Sequence, residues 1–245
     1  DRRSRIDTER RFLSAFLGLD PELPDLWPSQ TDVALHLGVT RGRVGQLSTA
    51  AQERWRRDAA ITRLRGDLLE LLTTGGCVMT VEELAAAMLL ARGSVEDEPR
   101  RSRLGLAVTR AAVEVERVMA DPRLVVRRDR SRILVATTQD LADYAVRLGR
   151  VADDLAAEDP LVPPVRVLEK LRAIPAAVGM DPLSDARLLR LAATASQNAA
   201  VSSRQEIYPR GMEAVRALKL SQGALLGVQN LTVDEIRQRV SGRYP

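Results

Sequence analysis

Histidine and cysteine occur once each in the 245 residues, as His36 and Cys77. A lone cysteine permits no disulfide framework and no cysteine-based zinc site. A lone histidine excludes multi-histidine metal sites and argues against Ser-His-Asp and Cys-His chemistry. Aromatic residues make up only 3% of the chain, so its cores must be built from Leu, Val, Ile and Ala. That choice favours helices over sandwiches, because strands enrich in aromatic and β-branched residues. No apolar run approaches the ~20 residues that a bilayer span needs, and no apolar leader opens the chain. Lysine is scarce too: Lys170 and Lys219 are the only two among 37 basic residues. The positive charge is therefore almost all arginine, whose planar fork suits phosphate and guanine, although a GC-rich coding bias gives the same skew.

What is present is ordinary in bulk and uneven in detail. The apolar fraction is 45% and the formal charge is +4. From Arg41 to Arg65 seven arginines stand against Glu53 and Asp58, and from Arg100 to Arg132 ten stand against four acids. Between Thr138 and Pro160 six acids face only Arg147 and Arg150. Two basic blocks and one acidic helix are the electrostatic footprint of a nucleic-acid binder, or a set of solvated helix faces. The chain opens at Asp1 without methionine and stops at Pro245 just after a helical pattern, which reads as a segment of a longer protein.

Periodicity predicts a mostly α protein with tandem helix-turn-helix and winged-helix modules, one small β-hairpin, and a following helical domain. Helices are expected at about 5–17, 29–37, 41–55, 58–74, 81–92, 100–120, 138–157, 164–173, 184–200, 210–220 and 233–241. The hairpin falls at 123–128 and 132–137, with a third strand at Cys77-Val78-Met79. Proline and glycine punctuation divides the chain at 1–57, 58–159 and 160–245. The last division could hold a further helix-turn-helix-like unit.

Residues 28–55 carry the sharpest motif. Small Ala34, turn Gly38 and aliphatic Val44 have the spacing of a DNA-binding helix-turn-helix, with Leu35, Leu37, Val39 and Leu47 as further apolar contacts. Thr40 is a good N-cap for a helix starting at Arg41. Arg41, Arg43 and Gln46 would then face base edges, where Arg pairs with guanine and Gln with adenine. Ser29, Thr40, Arg54, Arg56 and Arg57 are placed for phosphates. His36, in the first helix of the motif, reads as a surface or phosphate-proximal residue. Val39-Thr40-Arg41-Gly42-Arg43-Val44-Gly45-Gln46 resembles the promoter-recognition helix of region 4 of bacterial primary sigma factors, over about 30 residues.

Residues 58–138 have the order helix, strand, helix, helix, hairpin of a winged helix. Thr80 and Glu83 form a capping box. Leu104, Val108, Ala111, Val115 and Val118 mark the core side of the third helix. Arg100, Arg101 and Arg103 at its start, and Arg127, Arg128, Arg130 and Arg132 on the hairpin, would face nucleic acid. A winged helix can equally serve protein contact. Beyond 160 the signal weakens: Thr232 and Glu235 form another capping box, Arg204 and Arg210 could touch phosphate, and Tyr208 could stack or plug a small core.

Five stretches carry a wider resemblance: Trp27-Pro28-Ser29-Gln30-Thr31-Asp32-Val33-Ala34, Met79-Thr80-Val81-Glu82-Glu83-Leu84-Ala85, Leu141-Ala142-Asp143-Tyr144-Ala145, Ile207-Tyr208-Pro209-Arg210-Gly211-Met212 and Gly242-Arg243-Tyr244-Pro245. In them the chain resembles the non-kinase, C-terminal part of the W-type serine/threonine kinase of phage growth limitation (Pgl) systems, grouped with the BREX class of phage defence. The resemblance implies a kinase domain elsewhere. This stretch has no Gly-rich loop with a strand lysine, no His-Arg-Asp loop and no Asp-Phe-Gly site, so no enzyme activity is expected of it. The expected role is DNA binding or regulation in a bacterial, cytoplasmic setting, without cofactor, metal or membrane. The alternatives are a docking or dimerisation platform for other phage-defence proteins or a second copy, and a sigma-like transcription regulator.

Overall fold

A computed structural model describes residues 2–225 and 230–245, with side chains from residue 6 onward except 224. About 60% of the chain is helical. In chain order the described elements are α1 (Arg2–Phe16), α2 (Gln30–Leu37), α3 (Arg41–Arg57), α4 (Ala59–Thr74), β1 (Val78–Thr80), α5 (Val81–Arg92), α6 (Arg100–Arg117), β2 (Val125–Asp129), β3 (Arg132–Ala136), α7 (Gln139–Ala156), α8 (Pro164–Arg172), α9 (Asp185–Ala195), β4 (Ala199–Val201), β5 (Ile207–Pro209), α10 (Ala214–Leu225) and α11 (Val233–Arg243). Packing groups them into two compact units, residues 1–126 with 135–138, and 127–134 with 139–245.

In the first unit, the sequence signals of α2 and α3 become backbone geometry. Ser29 caps α2: its hydroxyl accepts from the Asp32 N–H, and the Asp32 carboxylate accepts from the Ser29 N–H. Gly38 ends α2 at φ 66°, a left-handed conformation that a Cβ would strain. Thr40 then caps α3 by accepting from the Arg43 N–H. Ala34 is 6% exposed and Val44 fully buried, packed with Val33, Ala51 and both of the chain's phenylalanines. The Phe12 and Phe16 rings stack with centroids 5.2 Å apart. Leu35, expected among the apolar contacts, instead stands 84% exposed. It follows Ala34 by one position, and neighbouring helical residues point about 100° apart, so it misses the buried face.

The element order α4, β1, α5, α6, β2, β3 matches the expectation, and the three strands pair in the order β1-β3-β2. The hairpin turns through Arg130 at φ 52°. Thr80 and Glu83 form the expected capping box. The helix α6 is more enclosed than an amphipathic pattern implies, because it packs against α3, α4 and α5 at once. Residues Gly105–Ala107 and Thr109–Glu116 are all buried. Val108 and Val118, expected on the core side, are exposed, since the three neighbouring helices close the other faces first.

In the second unit, α7 is the central helix. Ten of its residues are buried, and it packs on α8, α9, β4 and β5. Its contact with α9 is close: a Cβ on Gly149 would lie 2.6 Å from the Ala195 carbonyl oxygen. The helix expected over 184–200 stops at Ala195, and β4 and β5 form an antiparallel hairpin with Ala200 opposite Tyr208. Two alanines, good helix formers, are overridden here by tertiary bonds. The Asp153 carboxylate accepts from the N–H groups of Gln197 and Asn198, at 3.1 and 2.7 Å, and the Ser196 hydroxyl donates to the Ala199 carbonyl. The last helical pair begins four residues later than expected, because Pro209 to Gly211 belong to the strand end and its turn.

Gly149→Ala should therefore destabilise the second unit by about 1–3 kcal/mol through overpacking against backbone. Gly66→Ala, where an added Cβ meets open space on the exposed face of α4, should be neutral or stabilising by up to ~1 kcal/mol. Thermal melts of the two variants check the contrast, and equal melting temperatures would refute the close crossing.

Candidate nucleic-acid interface

Helix α3 places the three base-reading candidates on its exposed side. Arg41, Arg43 and Gln46 are all solvent-exposed, while Val44, Ser48 and Ala51 turn inward. Arg43 donates to the Gln46 Oε1 at 3.1 Å, so these two side chains already form a unit on the surface. Gly42 adds no bulk beside them, with only the Thr40 hydroxyl near an added Cβ, at 4.0 Å. A groove of about 550 Å³ runs along this face, lined by Thr8, Glu9, Arg43, Gln46, Leu47, Ala50 and Arg54.

The phosphate candidates are less open than the sequence implies. Arg54 pairs with Glu9 of α1. Arg56 and Arg57 share Glu53, at 3.0 and 3.9 Å. The hydroxyls of Ser29 and Thr40 are used as helix caps. In the second basic block Arg100 pairs with Glu96 at 3.3 Å and Arg101 with Glu98 at 2.9 Å. Arg103 is half-buried at the start of α6. Arg128 and Arg130 are exposed on the hairpin, while Arg127 lies 3.6 Å from Asp143 and Arg132 donates to the Ser196 and Gln197 carbonyls.

Three arginines of the basic blocks are structural. Arg65 and Arg123 both bond Glu116, whose side chain is 1% exposed. Hydrogen bonds from Arg123, opposed by burial and reinforced by Arg65, hold the Glu116 carboxyl down at about 2. Arg110 is buried, donates to the Pro28 carbonyl at 2.7 Å and lies over the rings of Phe16 and Trp27, at 4.1 and 5.2 Å. It also sits 3.9 Å from Glu114, which Gln52 approaches at 3.3 Å. Spacing gave no sign of the distant partners, which lie 82 positions apart for Arg110–Pro28, 62 for Gln52–Glu114 and 51 for Arg65–Glu116.

Four of the six acids of the acidic block have partners within their own unit. Asp143 faces Arg127, Glu158 pairs with Lys170 at 2.9 Å, Asp159 pairs with Arg216 at 3.1 Å, and Asp153 holds the approach to β4. His36 bonds Asp20 at 3.0 Å, and that bond, with one from the Glu22 N–H, holds the Asp20 carboxyl below its ordinary range. Asp20, Glu22 and His36 bring one ligand atom each within 4.8 Å of one another, with the Asp20 carboxylate already committed to the other two residues.

The geometry defines a mostly α, arginine-rich segment that presents a short-turn helical pair. Its relatives sharpen that class. The chain is 35% identical over 251 aligned residues to the probable kinase PglW of Streptomyces coelicolor. The alignment covers 90% of this chain and 16% of that protein, so the chain spans a small part of its relative's length. The resemblance to the W-type kinase of Pgl phage-defence systems thus extends over nearly all of this sequence. No family model matches the chain, and no solved structure matches it significantly.

Glu116→Gln should cost about 3–5 kcal/mol of stability, because it strands Arg65 and Arg123 beside a neutral group. The folded carboxyl titrates below its ordinary value, so its contribution is complete above about pH 4.5 and fades as pH falls towards about 2. Urea titrations at neutral pH and at about pH 2 should show the wild-type and variant curves converging in acid. A gap that stays constant would contradict the ion pairs.

Proposed function

We propose that this chain is a DNA-binding and regulatory segment, outside the kinase domain, of a phage-defence protein kinase of the Pgl type. The similarity to PglW supports the phage-defence setting. One observation carries the DNA reading: Ala34, left-handed Gly38 and buried Val44 make the crossing that leaves Arg41, Arg43 and Gln46 exposed on α3. A helix presented in this way can enter a major groove and read base edges through bidentate bonds.

We read α4 to β3 as a winged helix, from its element order and its β1-β3-β2 sheet. Its third helix is not a reading helix, because α6 is enclosed from Gly105 to Glu116 apart from Val108. Only its first turn, with Arg100, Arg101 and Arg103, is available to phosphate. The exposed Arg128 and Arg130 of the hairpin are the other phosphate candidates.

A docking platform for defence proteins is the second reading. It is favoured by the apolar groove of about 290 Å³ between α4, α5 and α6, lined by Leu64, Met88, Leu89, Leu104 and Val108. Exposed Leu90 and Val95 belong to the same region of the chain.

Titration of a fluorescent duplex at graded salt separates these readings. Arg43→Ala should weaken binding to a selected site by about 1–3 kcal/mol at fixed salt. Arg54→Ala should cost less, because Glu9 already neutralises that side chain. The salt slope should be shallow, about −0.9 for each phosphate neutralised. Affinity unchanged by Arg43→Ala removes α3 as the reading helix. No DNA binding at low salt, together with a stable dimer in light scattering, favours the platform.

A further inference from the structure

A second concave site lies in the second unit, away from α3 in sequence and independent of the DNA reading. Ser203, Arg204, Ser221, Arg239, Gly242 and Arg243 line a cavity of about 330 Å³. Three segments build it: the loop after β4, the middle of α10 and the end of α11. The Ser203 N–H donates to the Arg243 carbonyl at 3.0 Å, and Arg243 donates to the Leu220 carbonyl at 2.6 Å, so the three walls are tied together.

Charge accounting at this cavity leaves an excess of cation. Arg243 is spent on Glu206, with bonds of 2.6 and 3.1 Å to its two oxygens. Burial pushes the Glu206 carboxyl up, and the bonds from Arg243 and Ser202 outweigh it, so Glu206 stays ionised and cancels Arg243. Arg204 and Arg239 are exposed and have no carboxylate within ion-pair distance among the described residues. Glu235, one turn before Arg239, accepts both the N–H and the hydroxyl of Thr232 at 2.8 Å. Arg239 also acts on the Glu235 carboxylate through its charge, yet neither guanidinium bordering the cavity makes a direct ion pair with a carboxylate among the described residues.

A second, independent observation points into the same place. The Ser221 hydroxyl is 1% exposed and has no hydrogen-bond partner among the described residues. Buried hydroxyls are nearly always paired, and in a helix a serine can usually turn back to its own backbone. An unpartnered buried hydroxyl beside two arginines without a direct ion pair suits an anion with several acceptor oxygens. Arg210, by contrast, is closed off, because its guanidinium donates to the Ala199 carbonyl at 2.9 Å.

We propose that Arg204 and Arg239, with the hydroxyls of Ser203 and Ser221, bind a phosphate monoester. A dianion offers three acceptor oxygens, enough for two guanidinium forks and a hydroxyl. The source is either a phosphorylated serine or threonine side chain or a free phosphorylated compound, which share this chemistry. The site is an open depression bordered by three segments, so the experiment also carries a duplex arm.

The test uses the whole chain and isothermal titration with inorganic phosphate, then with a short phosphoserine peptide and its unphosphorylated twin. Saturable phosphate binding is expected, and the Arg204→Gln/Arg239→Gln double variant should weaken it roughly tenfold or more. Ser221→Ala should weaken it several-fold without lowering the melting temperature, since it removes an unpaired buried hydroxyl. That variant keeps the test decisive if the double variant folds poorly. A phosphopeptide that binds more tightly than phosphate assigns the source to a modified side chain, and equal affinities assign it to a small compound. Absence of saturable phosphate binding, or binding indifferent to both sets of variants, overturns the proposal. Duplex DNA binding that falls in step with the double variant overturns it in favour of a backbone-phosphate site. Because Arg43→Ala lies in the other unit, failure here and failure of the α3 reading are told apart directly.

Discussion

Glu116 is the carboxylate on which the first unit depends. It is buried near the end of α6, and water could not solvate it there, so its ionised form exists only because Arg65 and Arg123 reach it. Those two bonds join α4 to α6 and fix the chain that leaves α6 for the hairpin. Arg110, two turns earlier on the same helix, does the matching work toward the amino-terminal residues, bonding the Pro28 carbonyl and covering Phe16 and Trp27. An aromatic-poor chain has few large side chains to fill a core, and buried arginine stems supply part of that volume. The position of α3, and so of any surface it offers to a ligand, follows from this central helix.

The same accounting alters how the charge of the chain is understood. Much of the arginine that the sequence gathers into two basic blocks meets a carboxylate or a carbonyl once the chain folds. Arg54, Arg56, Arg57, Arg100 and Arg101 all have acidic partners, Arg65 and Arg110 are built into the interior, and Arg123 reaches from the surface to the buried Glu116. Exposed pairs of this kind contribute little to stability, but they reduce the field available to a polyanion. Among the exposed arginines without a carboxylate partner are Arg41 on α3, Arg130 on the hairpin, and Arg204 with Arg239 beside a serine that lacks a partner among the described residues. Recognition by such a segment rests on a few placed groups rather than on a broad basic face.

Much of the secondary structure was legible because its signals are local. Thr80 with Glu83 and Thr232 with Glu235 announce helix starts by side chains that bond the nearest backbone N–H groups. Gly38 marks a turn because glycine adopts its left-handed backbone angles at the least cost. The small sheet after residue 195 was not legible in the same way. Ala199 and Ala200 favour a helix, and their approach is held in another conformation by Ser196 and by groups far off in sequence, such as Asp153, 45 positions before Asn198. The exposure of Leu35 and Val108 was missed for a related reason: periodicity identifies a face, but the neighbours decide how much of it is covered.

The sequence by itself determined a mostly helical, arginine-rich chain with a tight turn between α2 and α3, because helix propensity, capping and glycine geometry act within a few residues. It also carried the resemblance to the Pgl kinases through short stretches spread over its length. Tertiary structure alone decided which arginines are free, which helix is enclosed and where a cavity forms. Ion pairs and burial join residues far apart in the chain, and the energy of a charge depends on what surrounds it after folding. The acidic helix became the core of a unit, and the basic blocks became partly its mortar, for that one physical reason.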